Sequence, residues 1–472
     1  MNLFFRNIYK NKFNFLIFTF FLCIFLRFYN INFEDLWFDE QASFLVANPK
    51  LSFEDTISLS KNLDNGTSIV FNLILKNYFN LFDYNPDIGR FLTVIFGIIS
   101  ILALAFLNFK ISKNNGYKLV AFLSSINWYL ISYSQELRPY SFLFLLSILS
   151  IIFFFSLLEN NENKIFNYKY ILYSLISVLA AATHIFFFII FISQIVFLIL
   201  NKSKIKNNFY TRLFYLLIVP VIYLLIMYDY LLLQINIDDF WIKQVELDFF
   251  IDFYFSRFFG SKIMGLIYLS ILIYLIIANK KLIFKFSSRY FFLLLLLILS
   301  YSLPLIYGLF KQPILIDRYI IFVLVPILIL TSSLLFELKK KKIRYFLIFT
   351  IITSTLVNNY LEIFQRKISK PEFKKTIKYI LNSKNDKNLV VFTDHEIHKK
   401  IILNYTKNLI SNKTESIKFI TDIEKERPSN FWLFCYQPLN SSNCNYKKIS
   451  LLNYKINDSV NYKLMSAILY EK

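Results

Sequence analysis

The sequence predicts an α-helical polytopic membrane protein of about eleven spans, with interfacial helices in its first outer loop and a small α/β domain at its C-terminal end. Three observations predict this. Long stretches, such as 171–200 and the run FFLLLLLILS at 291–300, hold almost no charge. Lysine and arginine gather in alternate short loops between such stretches. Beyond residue 364 the composition turns polar, and helix-like and strand-like pieces alternate.

The apolar runs fall near 14–31, 91–109, 119–132, 141–158, 171–183, 185–200, 213–233, 263–278, 291–309, 319–337 and 343–362. A helix needs about 20 such residues to cross a bilayer, and in lipid the backbone must satisfy its own hydrogen bonds. Of the 472 residues 56% are hydrophobic, more than a soluble domain of this length carries. Arg6, Lys10 and Lys12 precede the first run as they would in a signal peptide. No small-residue cleavage site follows, so the run reads as a retained helix.

The chain carries 52 Lys+Arg against 31 Asp+Glu, a net charge of +21. Such an excess can mark a nucleic-acid binder, but here the basic residues occupy alternate loops, as in cytoplasmic loops of membrane proteins. No nucleic-acid partner is expected. With the N-terminus inside, Lys110 and Lys118, Lys164 and Lys169, Lys202 and Arg212, Lys280 and Arg289, and Lys339 and Arg344 all fall inside. Asp35, Asp39, Glu40, Asp64, Glu136 and Asp238 fall on the other side. The alternation holds only if 171–200 is two spans with an outward turn at Thr183-His184; a single span would invert everything after it. A multi-pass protein of the cytoplasmic membrane is therefore expected, and an odd number of spans places the tail outside.

Two domains are expected, 1–364 in the membrane and 365–472 outside it. In the first outer loop, 32–90, Leu51–Leu59 and Ile69–Phe82 show the apolar spacing of helices lying at the interface. In the tail, 371–381 and 395–405 read as helices, and 389–392, 431–436 and 462–470 as strands. Cys23 reads as a small hydrophobe within the first run. Cys435 and Cys444 bracket Tyr436–Asn443, and a disulfide between them would close that loop in an oxidising compartment. No Cys/His spacing reads as a zinc site.

Several clusters could carry chemistry. Leu36-Trp37-Phe38-Asp39-Glu40 follows the first run: its acids can accept protons, or simply sit where an interface tolerates them. Asp64, in Asp64-Asn65-Gly66-Thr67, is a ligand or a plain turn residue. In Ser134-Gln135-Glu136-Leu137-Arg138-Pro139-Tyr140, Arg138 can pair with Glu136 or face a phosphate, which its planar fork of donors suits. Asp317-Arg318-Tyr319 opens the tenth run, with Arg318 snorkelling beside its acid or binding an anion. Thr183-His184 occupies an outward turn, where His is structural or a ligand.

The combination and order of these clusters are more specific than any one of them. Trp-x-Asp-Glu after the first span, Asp64 in the first loop, Gly89-Arg90 opening the second span, Ser-x-Glu-x-Arg-x-Tyr, Thr-His and a late Arg-Tyr run in sequence. The chain resembles the C-type glycosyltransferases of the protein O-mannosyltransferase and aminoarabinose transferase superfamily, over essentially its whole length. It departs where family members have a His/Pro-Pro pair after the loop Asp; Asn65-Gly66-Thr67-Ser68 stands there, which leaves the equivalence of Asp64 and the acceptor selectivity open.

The resemblance implies a GT-C fold and a polyprenyl-phosphate-linked sugar donor, hexosyl or pentosyl, with a lipid, polysaccharide or protein acceptor. It implies Asp39 as the base that takes the acceptor proton and Glu40 as its support or as a metal ligand. Arg138 and Arg318, with Arg90 as a weaker candidate, would stabilise the departing lipid phosphate, with Tyr140 as a hydrogen-bond partner. Asp64, Glu136, His184 and Tyr319 would complete the substrate site. Direct displacement would invert the anomeric centre. Asp39, Glu40, Asp64 and Glu136 could supply oxygen ligands, so a divalent metal stays open. Two other readings remain. A transporter or flippase of lipid-linked glycans would place ionisable groups near span midplanes. A glycan polymerase or ligase would concentrate its key residues in a large later outer loop, and 234–261 is less motif-like than the first.

Overall fold

The computed structural model describes residues 13–63, 68–159, 167–204, 209–235, 242–285, 288–383, 389–393, 396–409, 417–436, 449 and 452–472. The chain divides into two compact units. One comprises Met1–Tyr29 and Ala42–Arg366, the other Asn30–Gln41 and Lys367–Lys472.

The first unit is helical. Its chain order runs α1 Phe13–Phe28, α2 Phe38–Val46 (shared with the second unit up to Gln41), α3 Phe53–Leu63, α4 Ile69–Leu81, α5 Pro86–Ser112, α6 Gly116–Ser125, α7 Trp128–Ser134 and α8 Tyr140–Glu159. Next come α9 Tyr168–Thr183, α10 Phe187–Leu200, α11 Phe209–Ile235, α12 Leu247–Asp252, α13 Phe255–Phe259, α14 Lys262–Ala278, α15 Lys280–Ile283 and α16 Arg289–Phe310. A 3₁₀ segment, Asp317–Val323, then leads into α17 Leu324–Glu337 and α18 Lys341–Asn359. Among the described residues six helices are long and apolar enough to cross a membrane, and Asn14–Phe28, Tyr168–Thr183, Phe187–Leu200 and Lys262–Ala278 are shorter apolar helices. The stretch Asp317–Glu337 is the most enclosed of the six, and between Tyr319 and Glu337 it is apolar or small on every side, as a helix surrounded by other helices must be.

Two helix breaks interrupt the apolar runs. The run expected as one span at 119–132 is two helices, because polar side chains take over the backbone partners at Ser124–Asn127. Arg27 Nη2 and Nη1 donate to the carbonyls of Ser124 and Ser125 at 3.2 and 3.0 Å. Asn359 Nδ2 donates to the Ile126 carbonyl at 2.5 Å, and Asn127 Oδ1 accepts from the Leu130 N–H at 2.9 Å to open α7. The second break, at His184–Phe186, falls where the sequence places the outward turn.

α5 approaches α7 closely at Gly97, where an added Cβ would lie 2.2 Å from Ser134 Oγ. That hydroxyl is already committed to the Leu130 carbonyl at 2.6 Å. Gly97→Ala is therefore expected to destabilise the unit by about 1–3 kcal/mol, read as a lower melting temperature in detergent, with an unchanged melting temperature as the contrary result.

The second unit is α/β. Five strands, β1 Leu389–Phe392, β2 Ile417–Ile420, β3 Asn430–Tyr436, β4 Lys455–Tyr462 and β5 Met465–Glu471, form one sheet in the order β2-β1-β3-β5-β4. β1 runs parallel to β2 and β3, and β5 runs antiparallel to β3 and β4. The central β3 is apolar on both faces. Trp432, Phe434 and Tyr436 pack with Phe373, Ile377 and Ile380 of α19 Phe373–Asn382, and with Ile401 and Tyr405 of α20 Glu396–Leu409. Phe431 and Leu433, alternating with them, pack with Phe392, Ile420 and Tyr470. The piece read as one strand at 462–470 is a hairpin instead. Its turn has Leu464 at φ 58°, a left-handed position for which glycine or asparagine is the usual signal, so the sequence hides it.

Asn30–Gln41, which sequence assigns partly to the first outer loop, folds with this unit through carboxylates and a phenol. Glu34 accepts from Ser369 N–H and Oγ–H at 2.6 and 2.7 Å. Asp35 accepts from the Lys374 N–H at 2.7 Å, satisfying one of the open donors in the first turn of α19. Tyr405 Oη accepts from the Leu36 N–H at 3.2 Å and lies 2.8 Å from Gln41 Nε2.

Candidate active site

In the first unit, the motif that begins at Ser134 does structural work before it does anything else. Thr93 Oγ1 donates to the Ser134 carbonyl at 2.8 Å. Gln135 Nε2 reaches the carbonyls of Arg27 and Tyr29 at 3.1 and 2.9 Å, capping the C-terminal end of α1, and its Oε1 accepts from Arg366 Nη1 at 3.0 Å. Leu137 is fully buried. Pinned on both sides, the loop presents Arg138, itself buried, with Nη1 donating to Ser43 Oγ at 3.2 Å.

Around Arg138 the unit gathers four more of the residues singled out in the sequence. The Arg138 guanidinium lies 5.8 Å from the Tyr140 ring centre, and Arg318 lies at the same distance from the ring of Tyr319. His184 bridges them, its ring 6.2 Å from Tyr140 and 4.8 Å from Tyr319. The imidazole is buried, and burial with the positive charges of Arg138 and Arg318 pushes its pKa down to about 3. Both guanidiniums thus raise the positive potential at this ring, which disfavours a further cation there.

Beside them, Asp317 pairs with Arg257 at 3.5 Å. Arg318 and Asp317, with Tyr133, Tyr254 and Arg257, line a polar cavity of about 590 Å³. The Tyr254 phenol is pushed up to about 12 by burial and by Asp317, against the opposing pull of Arg257. Arg90 is buried in the opening turns of α5, its carbonyl accepting from Thr93 Oγ1 at 2.8 Å. Glu136 is half-buried, and its carbonyl accepts from the Arg138 N–H at 2.8 Å.

Asp39 and Glu40 belong to the second unit. Glu40 is fully buried, and its Oε2 accepts from the Trp37 N–H at 2.8 Å and from Lys370 Nζ at 2.8 Å. It thus caps α2 and forms a buried ion pair. Asp39 is half-buried, and burial together with the Asp39 charge pushes the Tyr436 phenol up to about 12. Among the described residues no three His, Cys, Asp or Glu side chains gather as a metal site, and Glu40 already has its negative charge matched by an ammonium. Asp64 lies outside the described residues. Cys435 is disulfide-bonded and Cys23 is free; Cys444 lies outside the described residues.

No family model and no curated protein matches the chain. Solved structures do. ArnT from Cupriavidus metallidurans in the apo state superposes with a TM-score of 0.62 at 9% identity, covering 96% of this chain and 97% of that one. The same protein bound to undecaprenyl phosphate gives 0.55 over the same shares at 9% identity. The oligosaccharyltransferase AglB from Archaeoglobus fulgidus, in complex with an inhibitory peptide and a dolichol-phosphate, gives 0.52 at 10% identity over 86% of this chain and 64% of that one. Both are GT-C glycosyltransferases. The chain has the GT-C fold.

Several contributors to these arrangements escape sequence reasoning. Lys370, the partner of Glu40, lies 330 positions along the chain. Ser43, Arg257 and Tyr405 stand in segments whose composition is ordinary for a helix or an interface, so no local signal could have found them. Gln135 was legible only as part of a motif, not as the cap of α1.

Proposed function

We propose that the chain is an inverting glycosyltransferase that moves a sugar from a polyprenyl-phosphate carrier to an acceptor hydroxyl on the outer face of the cytoplasmic membrane. The observation that carries this reading is the placing of buried Arg138 and half-buried Arg318 about the buried His184, in a chain with the fold of ArnT and AglB. A lipid phosphate is a natural occupant for such a grouping: its charge meets the two guanidiniums while its tail remains among apolar helices. An apolar groove of about 690 Å³, lined by Phe20, Phe21, Ile101, Leu102, Phe106 and Phe153, has the chemistry that suits a hydrocarbon chain. ArnT has been seen with undecaprenyl phosphate and AglB with a dolichol-phosphate, which supports the same donor class here.

The reaction uses these parts in turn. The acceptor oxygen attacks the anomeric carbon as the bond from that carbon to the phosphate oxygen breaks. Asp39 takes the hydroxyl proton, and the polyprenyl phosphate leaves with the negative charge that Arg138 and Arg318 stabilise. Glu40 holds the start of α2 and does not itself need to change protonation. The four shorter apolar helices and the broken stretch Gly116–Ser134 complete the spans begun by the six long ones, with the N-terminus inside and the 365–472 domain outside. The alternation of lysine clusters supports that orientation.

The purified chain, given a panel of radiolabelled polyprenyl-phosphate sugars and membrane extract, is expected to transfer label to an acceptor. Arg138→Leu is expected to lower kcat/KM by roughly 10²–10³-fold, the size of losing one charge-stabilising donor. Label that crosses vesicle membranes without being transferred would sink the transferase reading and favour a flippase.

A further inference from the structure

His184 has one nitrogen too many for its surroundings. Its backbone N–H closes α9 on the Ala180 carbonyl at 3.0 Å, and its Nδ1 accepts from the Phe186 N–H at 3.2 Å. An Nδ1 that accepts has no proton, so in the neutral ring the proton sits on Nε2. The side chain is 2% exposed, and among the described residues Nε2 has no hydrogen-bond partner. Buried donors are almost always satisfied, and leaving one open costs free energy on the order of 1–3 kcal/mol.

The titratable and charged groups about this ring come from two further segments. Arg138 and Tyr140 lie at the start of α8, and Arg318 and Tyr319 lie in the 3₁₀ segment. Both arginines are donors only, and neither can accept the Nε2 proton. What Nε2 lacks is an oxygen acceptor, and the two cations beside it favour one that carries negative charge.

We propose that His184 Nε2–H is a binding donor to a phosphate oxygen of the lipid-borne phosphate held by Arg138 and Arg318. The assignment rests on the proposed function for the ligand's identity, and it gives the turn between α9 and α10 a role: it sets a donor that adds direction without adding charge. A protonated imidazole would be a third cation beside two, and burial with both guanidiniums prevents it. The ligand thus meets two charged donors and one neutral donor, and the neutral one stays constant through the physiological range.

The test uses the full chain in detergent with ¹⁵N-labelled histidine, of which the sequence has only three. One signal, absent from His184→Gln, is expected to show the neutral Nε2–H form from about pH 5 to 8 and to shift when farnesyl phosphate is added. His184→Phe is expected to bind farnesyl phosphate about tenfold more weakly. His184→Gln, whose amide offers an N–H near the same place, is expected to stay within about threefold of wild type. Several results would overturn the proposal: an Nδ1–H form, titration near 6.5, equal affinity in all three proteins, or inorganic phosphate binding as tightly as farnesyl phosphate. Because no sugar is transferred in this assay, lipid-phosphate binding without transferase activity would fell the transferase reading and leave this one standing. If Arg138→Leu loses binding and His184→Phe keeps it, the donor role fails while the phosphate site survives.

Discussion

Asp39→Asn is expected to abolish sugar transfer, with kcat falling roughly 10²–10⁴-fold, the range general-base catalysis supplies, and with little change in donor affinity. The argument is one of chemistry and enclosure. A neutral hydroxyl attacking an anomeric carbon must lose its proton to something, and an amide cannot take it. Of the two adjacent acids, Glu40 is fully buried and bound to an ammonium and a backbone N–H, whereas Asp39 is half-buried. The substitution is isosteric, so the melting temperature should stay near that of wild type. Single-turnover transfer from the labelled donor, with lipid-phosphate binding measured in parallel, checks it. Full activity in Asp39→Asn would remove Asp39 from the mechanism. Activity lost together with donor binding would make it a binding residue instead.

The second large effect is expected at Lys370. Lys370→Met removes the ammonium from Glu40 Oε2 and leaves a fully buried carboxylate, an imbalance that costs about 3–5 kcal/mol in comparable buried pairs. The second unit should unfold earlier in thermal melts followed by near-ultraviolet circular dichroism. Adding Glu40→Gln should recover much of the loss, because the orphaned charge is then gone and only a hydrogen bond is missing. The double variant separates two roles for Glu40. If it transfers sugar near the wild-type rate, Glu40 acts through the shape of α2. If it is stable but inactive while Asp39 is intact, Glu40 belongs to the chemistry.

Much of the helical unit was legible because lipid makes one demand that sequence shows openly: long stretches without charge must be helices. The break at His184–Phe186 was legible from charge alternation alone, since a single span over 171–200 would have put Lys202 and Arg212 on the wrong side. The break at Ser124–Asn127 was not. It depends on Arg27 and Asn359, distant in the chain, supplying donors to carbonyls that a continuous helix would have used itself. In the tail, the short continuous apolar run of β3 announced a strand, but the β4–β5 hairpin turns at a leucine in a left-handed conformation, which no composition rule marks.

The candidate site divides along the same line. By itself the sequence determined which residue types were present and in what order: an acid pair after the first helix, arginines beside tyrosines at 138–140 and 318–319, and a histidine at the turn where two short apolar helices meet. Residue type and order are local properties, and the bilayer converts them into elements. Only the tertiary structure decided that Arg138, Tyr140, His184, Arg318 and Tyr319 stand together, that Glu40 is matched to Lys370, and that the segment bearing Asp39 folds with residues beyond 366. Those are pairings over more than three hundred positions in the last two cases. They are set by which buried charges can find a partner of opposite sign once the chain has closed, and a linear pattern has no means of stating that.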